Sequence, residues 1–80
     1  MKNYTIKVSV EGFSKVSVYE SDSKELIRDI LTPVLNSADN KIMRMPTNTD
    51  TSGNRIDLYY VHNVIWNYMI EVITRVGAPD

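Results

Sequence analysis

The chain has 80 residues, with no cysteine, one histidine, and nine basic residues against ten acidic ones. This composition excludes disulfide bonds and thiolate zinc sites, and one histidine cannot build a histidine-rich metal site. The nearly balanced charge argues against a general nucleic-acid binder, which needs a basic surface, and against a strongly acidic nucleic-acid mimic. We expect no cofactor. Because so small a domain has a limited core, we predict stabilisation by oligomerisation or by a protein partner.

A single compact domain over residues 1–80 is predicted, and a cytoplasmic location is the default. The first residues alternate between polar and apolar types and lack the continuous apolar run of a signal peptide. No apolar run approaches the roughly 20 residues that a membrane-spanning helix needs. We therefore expect no membrane partner.

The first two predicted elements are strands that form a hairpin. Residues 4–10 alternate strictly, and the alternation resumes at Val16 and Val18. Placing both valines on the buried face requires an odd loop, most simply residues 12–14, with Glu11 opposite Lys15. This register excludes the pairing of Val10 with Lys15 and leaves Lys15 and Tyr19 facing outwards.

A helix is predicted next, beginning with Asp22 as N-cap and Glu25 three residues later, in a capping-box arrangement. One apolar stripe follows at helical spacing; its members are Leu26, Ile27, Ile30, Leu31, Val34, Leu35 and Ala38. Pro33 allows two alternatives, either one helix kinked at Pro33 or a second short turn capped by Thr32. The unbroken stripe favours one kinked helix, which ends in the turn-forming residues 37–40.

The second half is predicted to repeat the order of the first. Residues 41–45 form a short strand stopped by Pro46, and either Ile42 or Met43 faces the core. Residues 47–54 are a polar loop, and residues 55–61 are a strand with large side chains on both faces. A second helix is predicted over residues 64–76, with Asn63 as N-cap and Gly77 after its end.

The expected fold is therefore an α+β two-layer sandwich in the order ββαββα. One four-stranded antiparallel sheet would carry both helices on one face. The second helix is apolar over roughly 200° of arc, whereas packing on a sheet needs little more than about 100°. The first helix could cover the excess, or the excess could mark an interface.

The interface alternative defines the leading functional hypothesis. It is a small non-enzymatic protein-binding domain, of the inhibitor or adaptor type that phages and mobile elements carry as accessory proteins. It would bind a protein partner or a second copy through the apolar flank of the last helix, with large side chains as anchors. The predicted interaction residues are Trp66, Ile70, Ile73 and Tyr59.

Catalytic and metal-binding alternatives find little support in the sequence. Residues 48–53 resemble the start of a calcium-binding loop, but Tyr59 stands where a bidentate Glu belongs. His62 is the one candidate base, with Asp57 as a conceivable orienting group, and no nucleophile is singled out. We therefore predict no enzymatic activity and no metal site.

The alternative function is a single-stranded RNA- or DNA-binding module. Basic residues among aromatic ones on an open sheet face are typical of such modules. The candidate residues are Lys7, Lys15, Tyr19 and Arg55. Asp57 and the balanced total charge weaken this hypothesis.

Overall fold

A computed structural model of the protein describes residues 2–79, which form six strands and one helix. The elements in chain order are β1 (Tyr4–Val10), β2 (Val16–Ser21), α1 (Glu25–Asn36), β3 (Lys41–Arg44), β4 (Asn48–Thr49), β5 (Arg55–His62) and β6 (Asn67–Thr74). The described residues contain no helix long and apolar enough to cross a membrane.

All strands belong to one antiparallel sheet with the order β2-β1-β6-β5-β3. The two-residue strand β4 also pairs with β5, further along the edge that β3 occupies. The last strand in the chain, β6, therefore lies in the centre, between β1 and β5. The edges are formed by β2 on one side and by the interrupted pair β3 and β4 on the other.

The predicted ββαββα fold is wrong, because residues 67–74 form strand β6 and not a helix. Their sequence, NYMIEVIT, is rich in the β-branched and aromatic residues that strands favour. A central strand also has neighbours on both sides and can be apolar on both faces. The wide apolar arc that suggested an overexposed helix is thus the signature of a buried central strand.

Asn63 caps a tight turn between β5 and β6 and does not begin a helix. Its backbone amide donates to the carbonyl oxygen of Trp66 at 3.0 Å. Its side-chain oxygen accepts hydrogen bonds from the amides of Ile65 and Trp66, at 2.9 and 2.7 Å. Asn side chains stabilise turns and helix N-termini by the same kind of bond, so the local signal fits both structures.

The core lies between α1 and one side of the sheet, called the helix face below. Its buried residues are Ile6, Leu31, Tyr59, Val61, Ile70 and Val72. Most of the predicted helix stripe packs against this cluster, namely Leu26, Ile27, Ile30 and Val34. Ile42 joins them from β3, which settles the two alternatives for that strand.

The predicted register of the first hairpin is wrong by one residue. The structure pairs Ser9 with Val16 and Lys7 with Val18, so both valines lie on the side of the sheet away from α1. Tyr19 pairs with Ile6 and lies on the helix face. The assumption that Val16 and Val18 face the core was wrong, because β2 is an edge strand that is exposed along almost all of its length.

The first helix is close to its prediction but begins differently. Lys24 is the N-cap residue and makes no side-chain capping bond, whereas Asp22 accepts the backbone amide of Asn3 at 3.2 Å. The predicted Asp22 cap is therefore wrong. Pro33 lies inside α1, which continues to Asn36 as a single helix.

Candidate interaction surface

The side of the sheet opposite α1, called the open face below, carries apolar side chains in successive rows. Directly paired residues of neighbouring strands share a face, so the register defines each row. The row nearest the middle of the sheet is Val18, Lys7, Glu71 and Leu58. The next row is Val16, Ser9, Met69, Tyr60 and Met43.

Several of these apolar side chains are exposed to solvent. Met43 and Tyr60 are 64% and 44% exposed, and Val16 and Val18 are similarly exposed. Leu58 and Met69 are half-buried. An antiparallel sheet with one solvated face usually alternates apolar and polar residues, with the polar residues facing outwards. This sheet departs from that pattern, because within residues 2–79 no second layer covers these side chains.

One end of the open face is closed by Arg75. Its guanidinium Nη2 donates to the hydroxyl of Thr5 at 3.3 Å, and both Thr5 and Ile73 are buried there. The uncovered part of the open face therefore lies towards the opposite end, where the β1–β2 and β5–β6 turns are located.

A depression of about 650 Å³ lies on the open face at that end. The open-face residues that line it include Ser9, Met43, Tyr60, His62 and Met69. Its size falls within the range of ligand pockets, roughly 300–1,000 Å³. The lining of the depression is mainly apolar, with a few polar groups among its residues.

The two turns at the same end carry a second apolar group, called the tip cluster, which consists of Phe13, Val64, Ile65 and Trp66. Val64 is fully exposed, and Trp66 is 47% exposed. The Phe13 and Trp66 rings lie 5.7 Å apart between centroids, tilted by 54°. Hairpin turns favour Gly, Asn and Asp, so the turn geometry does not account for Val64 and Ile65.

The predicted interaction residues do not form one exposed surface, and Ile70 and Tyr59 pair with each other inside the core. The flank of a C-terminal helix does not exist, since β6 replaces it. Ile70 is 1% exposed in the core, and Ile73 and Tyr59 are also buried. Trp66 alone among the four lies on the surface, in the tip cluster.

The predicted nucleic-acid residues also lie apart. Lys7 lies on the open face, whereas Tyr19 and Arg55 lie on the helix face by their pairing with Ile6 and Thr74. Lys15 is exposed beside the groove that Trp66 and Phe13 border on the helix face. No common surface joins these four residues.

Arg55 and Arg44 compensate the buried charge of Asp57 on the helix face. The Asp57 carboxylate is almost fully buried and accepts the Thr47 hydroxyl at 2.6 Å. Arg55 Nε lies 3.0 Å from its other oxygen, and Arg44 Nη2 lies 3.9 Å from the first. A buried carboxylate needs such charge compensation, so this group of residues is structural.

The structure separates His62 from Asp57, its predicted orienting group. His62 lies on the open face, whereas Asp57 lies on the helix face, so Asp57 cannot orient it. The His62 Nδ1 pairs instead with the side-chain oxygen of Asn67, its cross-strand neighbour. Within residues 2–79, no cluster of three or more His, Cys, Asp or Glu residues could hold a metal ion.

The polar loop before β5 is held by its own side chain, Asp50. The Asp50 carboxylate accepts the amides of Ser52 and Asn54, each at 2.9 Å, and the Asn54 side-chain amide at 3.1 Å. The amide hydrogen bond from Asn54, above all, lowers the pKa of Asp50 below its usual value of 3.8. The feature that resembles a calcium loop in the sequence is therefore a hydrogen-bonded turn, and its Gly53 adopts a φ of 86°.

Tyr68 also has a shifted pKa. It lies on the helix face opposite Val61 and packs against the core. Burial raises the pKa of its phenol above 10.0, partly offset by a hydrogen bond with the Asn40 side chain.

Comparisons of the chain with protein-family models, with curated proteins and with solved structures gave no match. The fold and the surface themselves define the class: an open-faced two-layer α+β domain with one helix over a six-stranded antiparallel sheet.

The open face was only partly visible in the sequence. The alternation of Ile56, Leu58 and Tyr60 with Asp57, Tyr59 and Val61 indicated large side chains on both faces of β5. The matching alternation in β6 was interpreted as helical. Reading β6 as a strand beside β5 would have revealed an apolar face without a second helix to cover it.

Proposed function

We propose that this chain is a small non-enzymatic protein-binding domain, of the adaptor or inhibitor type, that docks its partner on the open face. The observation that carries the proposal is the set of exposed apolar side chains on that face, with a 650 Å³ depression at one end. Contiguous apolar surface of this kind marks protein-interaction sites in soluble proteins.

The chemistry of the open face favours a protein partner. Tyr60, Met43 and Met69 lie side by side in one row. Aromatic residues and methionine are enriched at interfaces, because they bury much apolar area and adapt to the opposing surface. Fully burying one such side chain is worth roughly 1.5–3 kcal/mol, so a few of them supply a large part of a micromolar binding energy of about 8 kcal/mol.

The tip cluster adds exposed apolar surface at the same end of the sheet, where Trp66 and Phe13 line a groove on the helix face. Trp66 is packed on Phe13 and half-exposed, so it offers a rigid apolar anchor at that end. Trp is the residue type most often found as a binding hot spot. We place its contact with the partner at the edge of the interface.

A catalytic or nucleic-acid function draws less support from this arrangement. His62 has Asn67 beside it and no carboxylate, and Asp57 is used inside the fold. Lys7 lies on the open face, whereas Lys15 and Arg55 lie at opposite ends of the helix face, so the three do not line one path for a phosphate backbone. A cytoplasmic location belongs to the proposal, and the lack of cysteine is compatible with it.

The test compares two tyrosines that are equally exposed on opposite sides of the sheet. Tyr60 on the open face is 44% exposed, and Tyr19 on the helix face is 46% exposed. Tagged wild-type protein, Tyr60→Lys and Tyr19→Lys are used to capture binding proteins from a lysate of the source cells, and circular dichroism checks the fold of each.

We expect Tyr60→Lys to lose the specific partner and Tyr19→Lys to retain it, since only Tyr60 lies on the open face. Equal retention by both variants would refute docking on the open face. Loss in the Tyr19→Lys variant alone would move the interface to the helix face.

A further inference from the structure

Two opposite charges lie in the middle of the open face, in one row with the apolar side chains of Val18 and Leu58. Lys7 on β1 pairs directly with Glu71 on β6, and both side chains are half-buried. They do not form a salt bridge with each other, nor does either form one elsewhere within residues 2–79. Two half-buried charges on a docking surface require complementary charges on whatever covers them.

We propose that the open face is covered by a second copy of this chain, related by a two-fold axis that runs along the strands between β1 and β6. This inference rests on the proposed function, because it names the protein that docks on the open face. Such a rotation exchanges β1 with β6 and β2 with β5. It therefore places each Lys7 over the second copy's Glu71, and forms two salt bridges from two residues.

The neighbouring residues fit the same axis. In the middle row, Val18 would face the second copy's Leu58. In the next row, Ser9 would face the second copy's Met69, and Val16 its Tyr60. Each of these pairs sets a smaller side chain against a larger one, as interdigitating layers require. The surface is thus complementary to itself, which is the condition for a two-fold dimer.

The available area suits a weak dimer. The axis between β1 and β6 sets four strands, β2, β1, β6 and β5, over the second copy and leaves β3 without an opposite strand. Four strands about 4.8 Å apart and three uncovered rows about 6.8 Å apart give roughly 400 Å² of projected area per copy, so two copies bury about 800 Å², the size of a weak, transient interface. Packed sheets cross at about 30°, and residues close to the axis, such as Lys7 and Glu71, are displaced least by this angle.

The decisive test reverses one charge at a time and then mixes the variants. Lys7→Glu carries two negative residues at the centre of the face, and Glu71→Lys carries two positive ones. Each variant alone would place like charges against each other, so we expect its dimer dissociation constant to rise at least about 100-fold. Mixed in equal amounts, the two variants bring the negative pair of one chain against the positive pair of the other. Both contacts across the interface then join opposite charges, so we expect the dimer to form again.

Mass is measured by light scattering after size-exclusion chromatography, over a concentration series. We expect wild type to reach twice the 9.2 kDa of one chain, each single variant to remain at one chain mass, and the mixture to return to twice that mass. Lys15→Glu makes the same charge change away from the open face and is expected to dimerise like wild type. A recovered dimer in the mixture cannot result from salt bridges within one chain, because each variant has like charges at positions 7 and 71.

Three results would overturn the inference: a monomeric wild type, dimeric single variants, or a mixture that stays monomeric. Dimeric single variants that become monomeric with Val18→Pro would assign the dimer to the free edge of β2 instead. The outcome is separate from that of the proposed function. If the wild type is monomeric but captures another protein through Tyr60, the proposed binding function stands and a different protein covers the open face. If the wild type is monomeric and shows no such capture, both the proposed function and the dimer are refuted.

Discussion

The replacement of Ile70 by alanine tests the central position of β6 most directly. Ile70 is 1% exposed, pairs with Val8 on one side and Tyr59 on the other, and belongs to the core under α1. Ile65 provides a matched control, because it lies only five residues earlier but is 76% exposed in the turn. The same chemical change is thus made once in the core and once at the tip.

The expected loss in the free energy of unfolding follows from the atoms that Ile70→Ala removes. Ile→Ala deletes three methylene-sized groups, worth about 2.4 kcal/mol at roughly 0.8 kcal/mol each when fully buried. The cavity left behind raises the loss to about 3–4 kcal/mol. An 80-residue domain has a total stability of roughly 4–12 kcal/mol, so Ile70→Ala removes a large fraction of it. Ile65→Ala should change the free energy of unfolding by less than about 0.5 kcal/mol.

The assay is unfolding by urea and by heat, followed by circular dichroism and by the fluorescence of Trp66, the single tryptophan. We expect the melting temperature of Ile70→Ala to fall by about 12 °C or more, at roughly 4–8 °C per kcal/mol for a domain of this size. Equal losses in the two variants would refute the burial of β6 under α1. A larger loss for Ile65→Ala would refute the exposed turn.

Three further predictions concern side chains whose environment the fold determines. The folded-state pKa of Asp50 is lowered, mainly by the hydrogen bond from the amide of Asn54. The contribution of Asp50 to stability is therefore complete above pH 3.8 and is lost as the pH falls through the folded-state pKa. Asp50→Asn should flatten this acid dependence of the free energy of unfolding in urea titrations. The folded-state pKa of Tyr68 is raised by burial, so its contribution to stability is complete below pH 10.0 and is lost as the pH rises above that value. Tyr68→Phe should reduce this loss of stability in urea titrations above pH 10.0. Asp57→Ala should cost about 1–3 kcal/mol, because it removes the acceptor of the Thr47 hydroxyl and the partner of Arg55; an unchanged urea midpoint would contradict the structural role of Asp57.

The parts of the fold that follow local periodicity could be predicted from the sequence. Strand β1, with its strict alternation, and helix α1, with its apolar stripe, lie close to their predicted positions. Their patterns have a single interpretation, because each element has one buried face. Even Pro33 was correctly placed inside one helix.

The parts that depend on position within the sheet could not be predicted in the same way. A central strand such as β6 has two apolar faces and so resembles a buried helix segment in sequence. An edge strand such as β2 is exposed on both faces, so the alternation of Val16 and Val18 did not indicate the core side. Both errors have one cause: strand order is a long-range property, and neither pattern carries information about it.

The same limit applies to the candidate surface. Trp66 was selected because of its residue type, and it is exposed in the structure, whereas Ile70 was selected by its angle on a helix that does not form. Tyr60 and Met43 could be found only after the pairing of β3 with β5 was known.

The two ends of the described chain meet at the far end of the sheet from the tip cluster. The backbone amide of Arg75 donates to the carbonyl oxygen of Asn3 at 2.9 Å, and the Tyr4 hydroxyl bonds to the carbonyl of Pro79. A short linker between these ends would permit a circular permutant that opens between Val64 and Ile65, where the backbone is exposed. In that permutant β6 would begin the chain and β5 would end it, so folding would no longer depend on the β5–β6 turn. Immobilising the protein through either end would likewise leave the open face and the tip cluster directed away from the support.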